Sequence, residues 1–342
     1  MRCHPRFSLD PGRCASLLLF RTHREFSQVM LGTTVSKVLV VACIAILAAC
    51  SDDPVLPPEP ESPATDIDWA PRWSPNGDYI LYYHSGVVAV KEDGYVAVDL
   101  DSIGLWVTRS DGSARWMLIR GIAIGGADWS PQSDSIVYSL NSQIYRAAFT
   151  GTSIDSTSIQ QLTTSGWNVL PAWSSDGEWI AYDSEQGPFK TAIMRPDGTD
   201  EHVIEHTGMG DWRMPDWSPA GRICHIRYPS GTEGSEIFTM DDDGGNVVRV
   251  TDNKGGERWP RFSPDGTKIA YSTSGPGEVA VWTVDADGTN PVRLARGGDP
   301  TWSPDGEWIA FARPWKERTT IWKMRVDGSE LVQVTFGPCG FA

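Results

Sequence analysis

The chain of 342 residues predicts an all-β fold, a six-bladed β-propeller of four-stranded antiparallel blades over residues 66–342. Three observations lead there. A phrase of the form Pro-x-aromatic-Ser-Pro-Asp-Gly occurs six times, with aromatic residues Trp73, Trp129, Trp173, Trp217, Phe262 and Trp302 spaced by 56, 44, 44, 45 and 40 residues. A period of about 40–45 residues is what a four-stranded blade needs. Each copy is followed by the same order of strand and turn signals, and nothing beyond residue 65 sustains the 3.6-residue periodicity of a helix.

Within each unit the elements follow in order. A short first strand ends at the aromatic residue. Ser-Pro-Asp-Gly then suits a tight turn, with Pro pre-setting φ and Gly closing it. A second apolar strand follows: Tyr79–Tyr82, Ser135–Tyr138, Trp179–Tyr182, Arg222–His225, Lys268–Tyr271 and Trp308–Phe311. After a variable loop comes an alternating third strand such as Ile237–Met240, Val281–Val284 or Ile321–Met324. Asp-Gly pairs at 111, 197, 243, 287 and 327 mark the hairpin into a fourth strand. The longer first spacing reflects an insertion in blade 1. There Val87 to Val98, apolar around Glu92-Asp93-Gly94, reads as an extra hairpin, a lid or partner-binding arm. Strand order suggests no swapped strand to latch the ring, and Asp66-Ile67-Asp68-Trp69 is the segment available for it.

With its Trp-Ser-Pro-Asp-Gly core and following Ile-Ala-Tyr/Phe strand, the repeat resembles the WD40-like (PD40) repeat of the TolB family. The resemblance covers 66–342 and departs at two turns, Gln132-Ser133 and Ala220-Gly221. It implies the propeller and an envelope setting, and more weakly a TolB-type role as a protein partner. The α/β domain that precedes the propeller in TolB is not expected in this chain.

The N-terminal region carries the second signal. Val38 to Leu47 is an apolar run of ten, preceded by Lys37 and followed by Ala48-Ala49-Cys50. The run is too short to span a bilayer and fits a signal-peptide core. Leu47-Ala48-Ala49-Cys50 matches the bacterial lipobox, so residues 1–49 are expected to be a signal peptide and Cys50 the lipidated residue; Met30 is the alternative start. Residues 50–65 form a tether in which Ser51 to Thr65 holds five prolines and four acids, an extended spacer with no core to bury. Ser51 after the cysteine fits outer-membrane sorting in a host with two membranes.

Composition bears on partners. With the six basic and two acidic residues of 1–49 set aside, 23 basic and 42 acidic residues remain, a net of −19. That balance argues against nucleic acid and against adhesion to anionic lipid headgroups, so membrane attachment is expected through the lipid anchor alone. A monomer is expected. Of the mature cysteines, Cys224 occupies the slot filled by Ala181, Ala270 and Ala310, which makes a buried thiol the expectation and a Cys224–Cys339 bridge the exception.

In a propeller the first–second and third–fourth turns share one face, and the remaining loops gather on the other. The repeated turns look structural, which leaves the variable face as the candidate binding surface. It is expected to carry Asp68, Trp69, Trp167, Asn168, Asp211, Trp212, Arg213, Glu257, Arg258, Trp259, Asp299, Arg313 and Trp315. Trp and Arg beside acids are the residue types of binding hot spots, and the same Trp side chains equally suit the seams between blades. No Gly-x-Ser-x-Gly elbow occurs, His202 and His206 lack the helix of a zincin pair, and Asp241-Asp242-Asp243-Gly244 lacks the Glu that would complete a calcium loop. No catalytic residue, metal or cofactor is expected. The reading is an envelope lipoprotein whose propeller binds a protein partner or ligand, with a glycan-binding or glycan-cleaving channel mouth as the alternative.

Overall fold

The computed structural model describes residues 66–90 and 96–336, apart from 122–123, 186–188, 206–209, 229–233, 253–254, 275–277 and 316–317, together with the two-residue strand β1 (Leu19–Phe20). Apart from that strand, the expected signal peptide lies outside the described residues, as do Cys50, the tether, His206 and Cys339.

The six sequence units form six blades. Blade 1 is β2 (Asp66–Trp73), β3 (Tyr79–Val90), β4 (Val96–Arg109) and β5 (Arg115–Arg120). Blade 2 is β6 (Ile124–Trp129), β7 (Ser135–Leu140), β8 (Gln143–Ala148) and β9 (Gln160–Gln161). Blade 3 is β10 (Trp167–Trp173), β11 (Ile180–Glu185), β12 (Phe189–Met194) and β13 (His202–Val203). Blade 4 is β14 (Trp212–Trp217), β15 (Ile223–Arg227), β16 (Glu236–Met240) and β17 (Val248–Arg249). Blade 5 is β18 (Gly256–Phe262), β19 (Lys268–Ser274), β20 (Ala280–Asp285) and β21 (Val292–Arg296). Blade 6 is β22 (Gly298–Trp302), β23 (Trp308–Trp315), β24 (Arg318–Arg325) and β25 (Val332–Gln333). A single 3₁₀ turn at Ser156–Ser158 is the helical content among the described residues.

Burial follows position in the blade. The second strands are apolar on both faces because each is sandwiched between neighbouring blades; β7 and β11 are buried over five consecutive residues. The outermost strands β9 and β17 are exposed. Cys224 is fully buried and free, in line with Ala181, Ala270 and Ala310.

The ring closes through blade 1. The inner strands β2, β6, β10, β14, β18 and β22 touch in cyclic order. β2 also pairs in parallel with β24 at Ile67 and Thr319, which merges blades 1 and 6 into one sheet. The Asp66–Trp69 segment thus supplies the latch. Asp68 reinforces it, accepting from the Thr335 hydroxyl at 2.5 Å and sitting 2.6 Å from His84 Nδ1.

Every inner strand is broken by a bulge three residues before its aromatic. Ala70, Leu170, Met214, Trp259 and Asp299 take positive φ of 51°, 56°, 59°, 56° and 54°, with Gly126 in the sixth place. The bulge shifts the register and turns the following residues toward the channel. Pro follows it in five blades, where a missing N–H costs no ladder bond.

The Ser-Pro-Asp-Gly turns form as expected. Gly77 N–H donates to the Ser74 carbonyl at 2.9 Å, and Ser74 Oγ both donates to Asn76 and accepts from Tyr79 N–H. The two divergent copies keep the turn by other means. Ser133 takes the glycine position at φ 60°, and Ser130 Oγ reaches Asp134, one residue later, at 2.9 Å. In blade 4, where Ala220 replaces Asp, Ser218 Oγ accepts from Arg222 N–H, and the Arg222 side chain ties to Asp241 and Thr239.

The inserted hairpin of blade 1 is a continuation of β3 and β4, paired Val87 to Val98, Ala89 to Ala97 and Val90 to Val96. β5 stops at Arg120, opposite Gly104, so among the described residues the extension of β4 has no outer strand from its own blade. β1 pairs there, antiparallel, with Phe20 opposite Val96 and Leu19 opposite Ala97.

Candidate functional site

The variable face is less open than its residue types suggest. Trp212 is fully buried, stacked on His225 at 4.3 Å with the Arg227 guanidinium 4.9 Å from its ring. Trp69 is buried against Tyr83 with ring centroids 4.7 Å apart, and Trp259 is buried with Arg261 near its face. Asp68, Asn168, Glu257 and Arg313 are buried as well: Asp68 in the ring latch, Asn168 bonded to Ser165 and Ser184, Arg313 against Trp322. Trp315 ends β23.

What remains partly accessible on that face is Trp167, Asp211, Arg213, Arg258 and Asp299. Two of these come together at the seam of blades 3 and 4. Arg213 lies 3.8 Å over the Phe189 ring with Nε 3.7 Å from Asp183, while Asp211 accepts from Phe189 N–H at 3.1 Å. Asp183 also accepts from Met214 N–H at 2.8 Å, and burial pushes its carboxyl up to about 7. Asp299 accepts from Ala70 N–H at 3.2 Å across the closing seam, and burial raises it to about 6. Arg258 is held by Ser274 Oγ at 3.1 Å.

The opposite end of the channel, on the turn face, carries a second candidate. A cavity of about 350 Å³ opens there, lined by the inner-strand ends and the prolines of the turns. The residue just before the aromatic lines it in five blades. In ring order these are Arg72, Asp128, Asp216, Arg261 and Thr301, while Ala172 of blade 3 is fully buried. Arg72 Nε lies 3.9 Å from Asp128 and Arg261 NH1 3.8 Å from Asp216. Asp128 and Asp216 each give one oxygen to the next blade, accepting from Trp173 N–H at 2.8 Å and Phe262 N–H at 2.9 Å. Burial raises both carboxyls, that of Asp216 to about 7.

The hydrogen bonds alternate around the ring. Trp129, Trp217 and Trp302, in blades 2, 4 and 6, donate their indole N–H to the carbonyls of Arg72, Ala172 and Arg261 in the preceding blade. Trp73 and Trp173 donate instead to Gly77 and Gly177 of their own turns. Sequence reasoning treated this face as scaffold. The signal it held was the charge that varies in the slot just before each aromatic.

No group of three His, Cys, Asp or Glu residues arranged to hold a metal ion occurs among the described residues. At the Asp241–Gly244 turn, Asp243 Oδ1 accepts from Gly245 N–H and Asp241 binds Arg222 and Asn246, so those carboxylates serve the hairpin. No helix of the described residues is long and apolar enough to cross a membrane.

Comparisons with known proteins agree with this architecture. Residues 188–340 match the family described as PD40, TolB beta propeller domain. An uncharacterised protein of Agrobacterium fabrum is 26% identical over 246 residues, covering 59% of this chain and 83% of that one. The Tol-Pal system protein TolB of Francisella tularensis is 34% identical over 87 residues, covering 25% of this chain and 20% of TolB. The crystal structure of TolB from Acinetobacter baumannii superposes with a TM-score of 0.60 at 16% identity, over 75% of this chain and 76% of that one. The chain thus carries a TolB-like β-propeller built of PD40 repeats.

Proposed function

We propose that this protein is an envelope lipoprotein, anchored through Cys50 on its Pro-rich acidic tether, that binds a protein partner through the variable face of the propeller. The observation that carries the reading is the extended ribbon of blade 1. Beyond Gly104 the edge of β4 has no outer strand of its blade among the described residues, and an unpaired edge is a template for an added strand. The edge already pairs with Leu19–Phe20, a segment upstream of the expected cleavage at Cys50, so processing would free it. Val87 to Val90 and Val96 to Val98 are apolar without alternation, a pattern that calls for cover on both faces. Asp211, Arg213 and Arg258, in blades 4 and 5, add partly accessible charges to the same face. A glycan platform is less well supported, because Trp69, Trp212 and Trp259 are buried and offer no free ring face for stacking.

The test is capture from solubilised native envelope with the wild-type protein, a variant with 87–98 replaced by a two-residue Asn-Gly turn, and an Arg213→Ala/Arg258→Ala variant. A protein retained by the wild type and lost when the ribbon is trimmed supports the reading. Equal recovery by all three proteins refutes it. The lipid anchor is tested separately by mass spectrometry of the mature N-terminus and by Cys50→Ser, which should release the protein from the membrane fraction.

A further inference from the structure

We propose that the turn-face end of the channel is a binding site for a small amino–carboxylate zwitterion of short-peptide size. The inference is independent of the partner face, which lies at the other end of the channel. It starts from the ring order of the residues preceding the aromatics. Blades 5, 6 and 1 contribute Arg261, Thr301 and Arg72, two cations and a hydroxyl on one side. Blades 2 and 4 contribute Asp128 and Asp216, two carboxylates, on the other. The four formal charges cancel, yet they are segregated into halves, so the site is a dipole.

These charges are only partly satisfied by one another. The Arg72–Asp128 and Arg261–Asp216 separations of 3.9 and 3.8 Å exceed hydrogen-bonding distance. Arg261 uses NH1 on the Pro260 carbonyl, and its Nε is buried with no hydrogen-bond partner among the described residues. Arg72 uses Nε on the Ala127 carbonyl. Asp128 and Asp216 give Oδ2 to the next blade, and their Oδ1 atoms face the neighbouring arginines at 3.9 and 3.8 Å. Donors therefore remain on one side and acceptors on the other, in a cavity of about 350 Å³, within the roughly 300–1,000 Å³ range of ligand pockets. A carboxylate fits the arginine side in the charge-assisted geometry that guanidinium favours, and an ammonium fits the aspartate side. A singly charged ligand matches one half and leaves the other desolvated and unmet, which gives the site its selectivity.

The experiment is calorimetric titration of the full-length protein with glycylglycine, N-acetylglycylglycine and glycylglycinamide, with tryptophan fluorescence as a second readout from the indoles around the cavity. Glycylglycine should bind at least about tenfold more tightly than either singly charged analogue, each of which loses one charge-assisted contact. Asp216→Asn keeps an acceptor for Phe262 N–H and should bring glycylglycine down to the affinity of the acetylated analogue. Arg261→Gln should bring it down to that of the amide. Equal binding of the three compounds, or no binding of glycylglycine up to about 10 mM, above the millimolar range of weak ligands, overturns the proposal. If either variant fails to fold, the three-compound comparison on the wild type decides alone.

Discussion

Trp302 donates its indole N–H to the carbonyl of Arg261 at 3.0 Å, and the bond joins blade 6 to blade 5 across a buried seam. Trp129 and Trp217 repeat it, whereas Trp73 donates to Gly77 within its own turn. Loss of a seam bond leaves a buried carbonyl without that donor. Trp302→Phe should therefore lower stability by about 1–2 kcal/mol, or about 2–8 °C in melting temperature. Trp73→Phe should cost less than half of that. Thermal melts of the two variants side by side check the ordering.

The latch makes a second prediction. Thr335 Oγ1 donates to Asp68 and accepts from Ile321 N–H at 2.9 Å, so one hydroxyl serves both blade 6 and the first strand of blade 1. Thr335→Val removes both bonds and leaves a buried carboxylate oxygen unmet, at a cost of about 2–3 kcal/mol. Proteolysis under native conditions should then begin at the blade 1–blade 6 seam. Initial cleavage elsewhere, at the wild-type rate, counts against the latch.

Glycine positions separate two kinds of penalty. Gly112 has φ 78°, and an added Cβ would lie 2.5 Å from the Val334 carbonyl oxygen of blade 6. Gly221 has the same φ of 78° with nothing within 4 Å. Gly221→Ala should cost about 1 kcal/mol for the left-handed backbone alone. Gly112→Ala should cost clearly more, because a backbone neighbour must move. Chemical denaturation of both variants measures the difference.

Buried acids set the pH dependence. Asp183 and Asp216 are raised to about 7 and Asp299 to about 6, each chiefly by burial. Their folded-state values lie above the unfolded ones, so the folded form holds more protons between about pH 4 and 7. The stability they contribute is present below pH 4 and is lost as pH rises through 6 to 7. Melting temperature should therefore fall from pH 5.5 to pH 8. Asp183→Asn keeps an acceptor for Met214 N–H and should flatten that slope; an unchanged slope would refute the assignment to Asp183.

Much of this molecule was legible in the chain because its signals are local. Period-two strands, Ser-Pro-Asp-Gly turns and Asp-Gly hairpins act over a few residues, and six copies in register leave little freedom in topology. The ribbon of blade 1 was readable for the same reason, as apolar runs around Glu92-Asp93-Gly94. The candidate surfaces were less so. Trp212, Glu257 and Arg313 are expected on loops from the sequence, yet they lie in β14, β18 and β23 and are buried. Arg72, Asp128, Asp216 and Arg261 are separated by 56, 88 and 45 residues in the chain, and only closure of the ring gathers them around one cavity. Sequence alone determined the blade, its turns and its number of copies, since each rests on backbone chemistry within a few residues. Tertiary structure decided which side chains meet and which are buried, since that depends on neighbours supplied by a different blade.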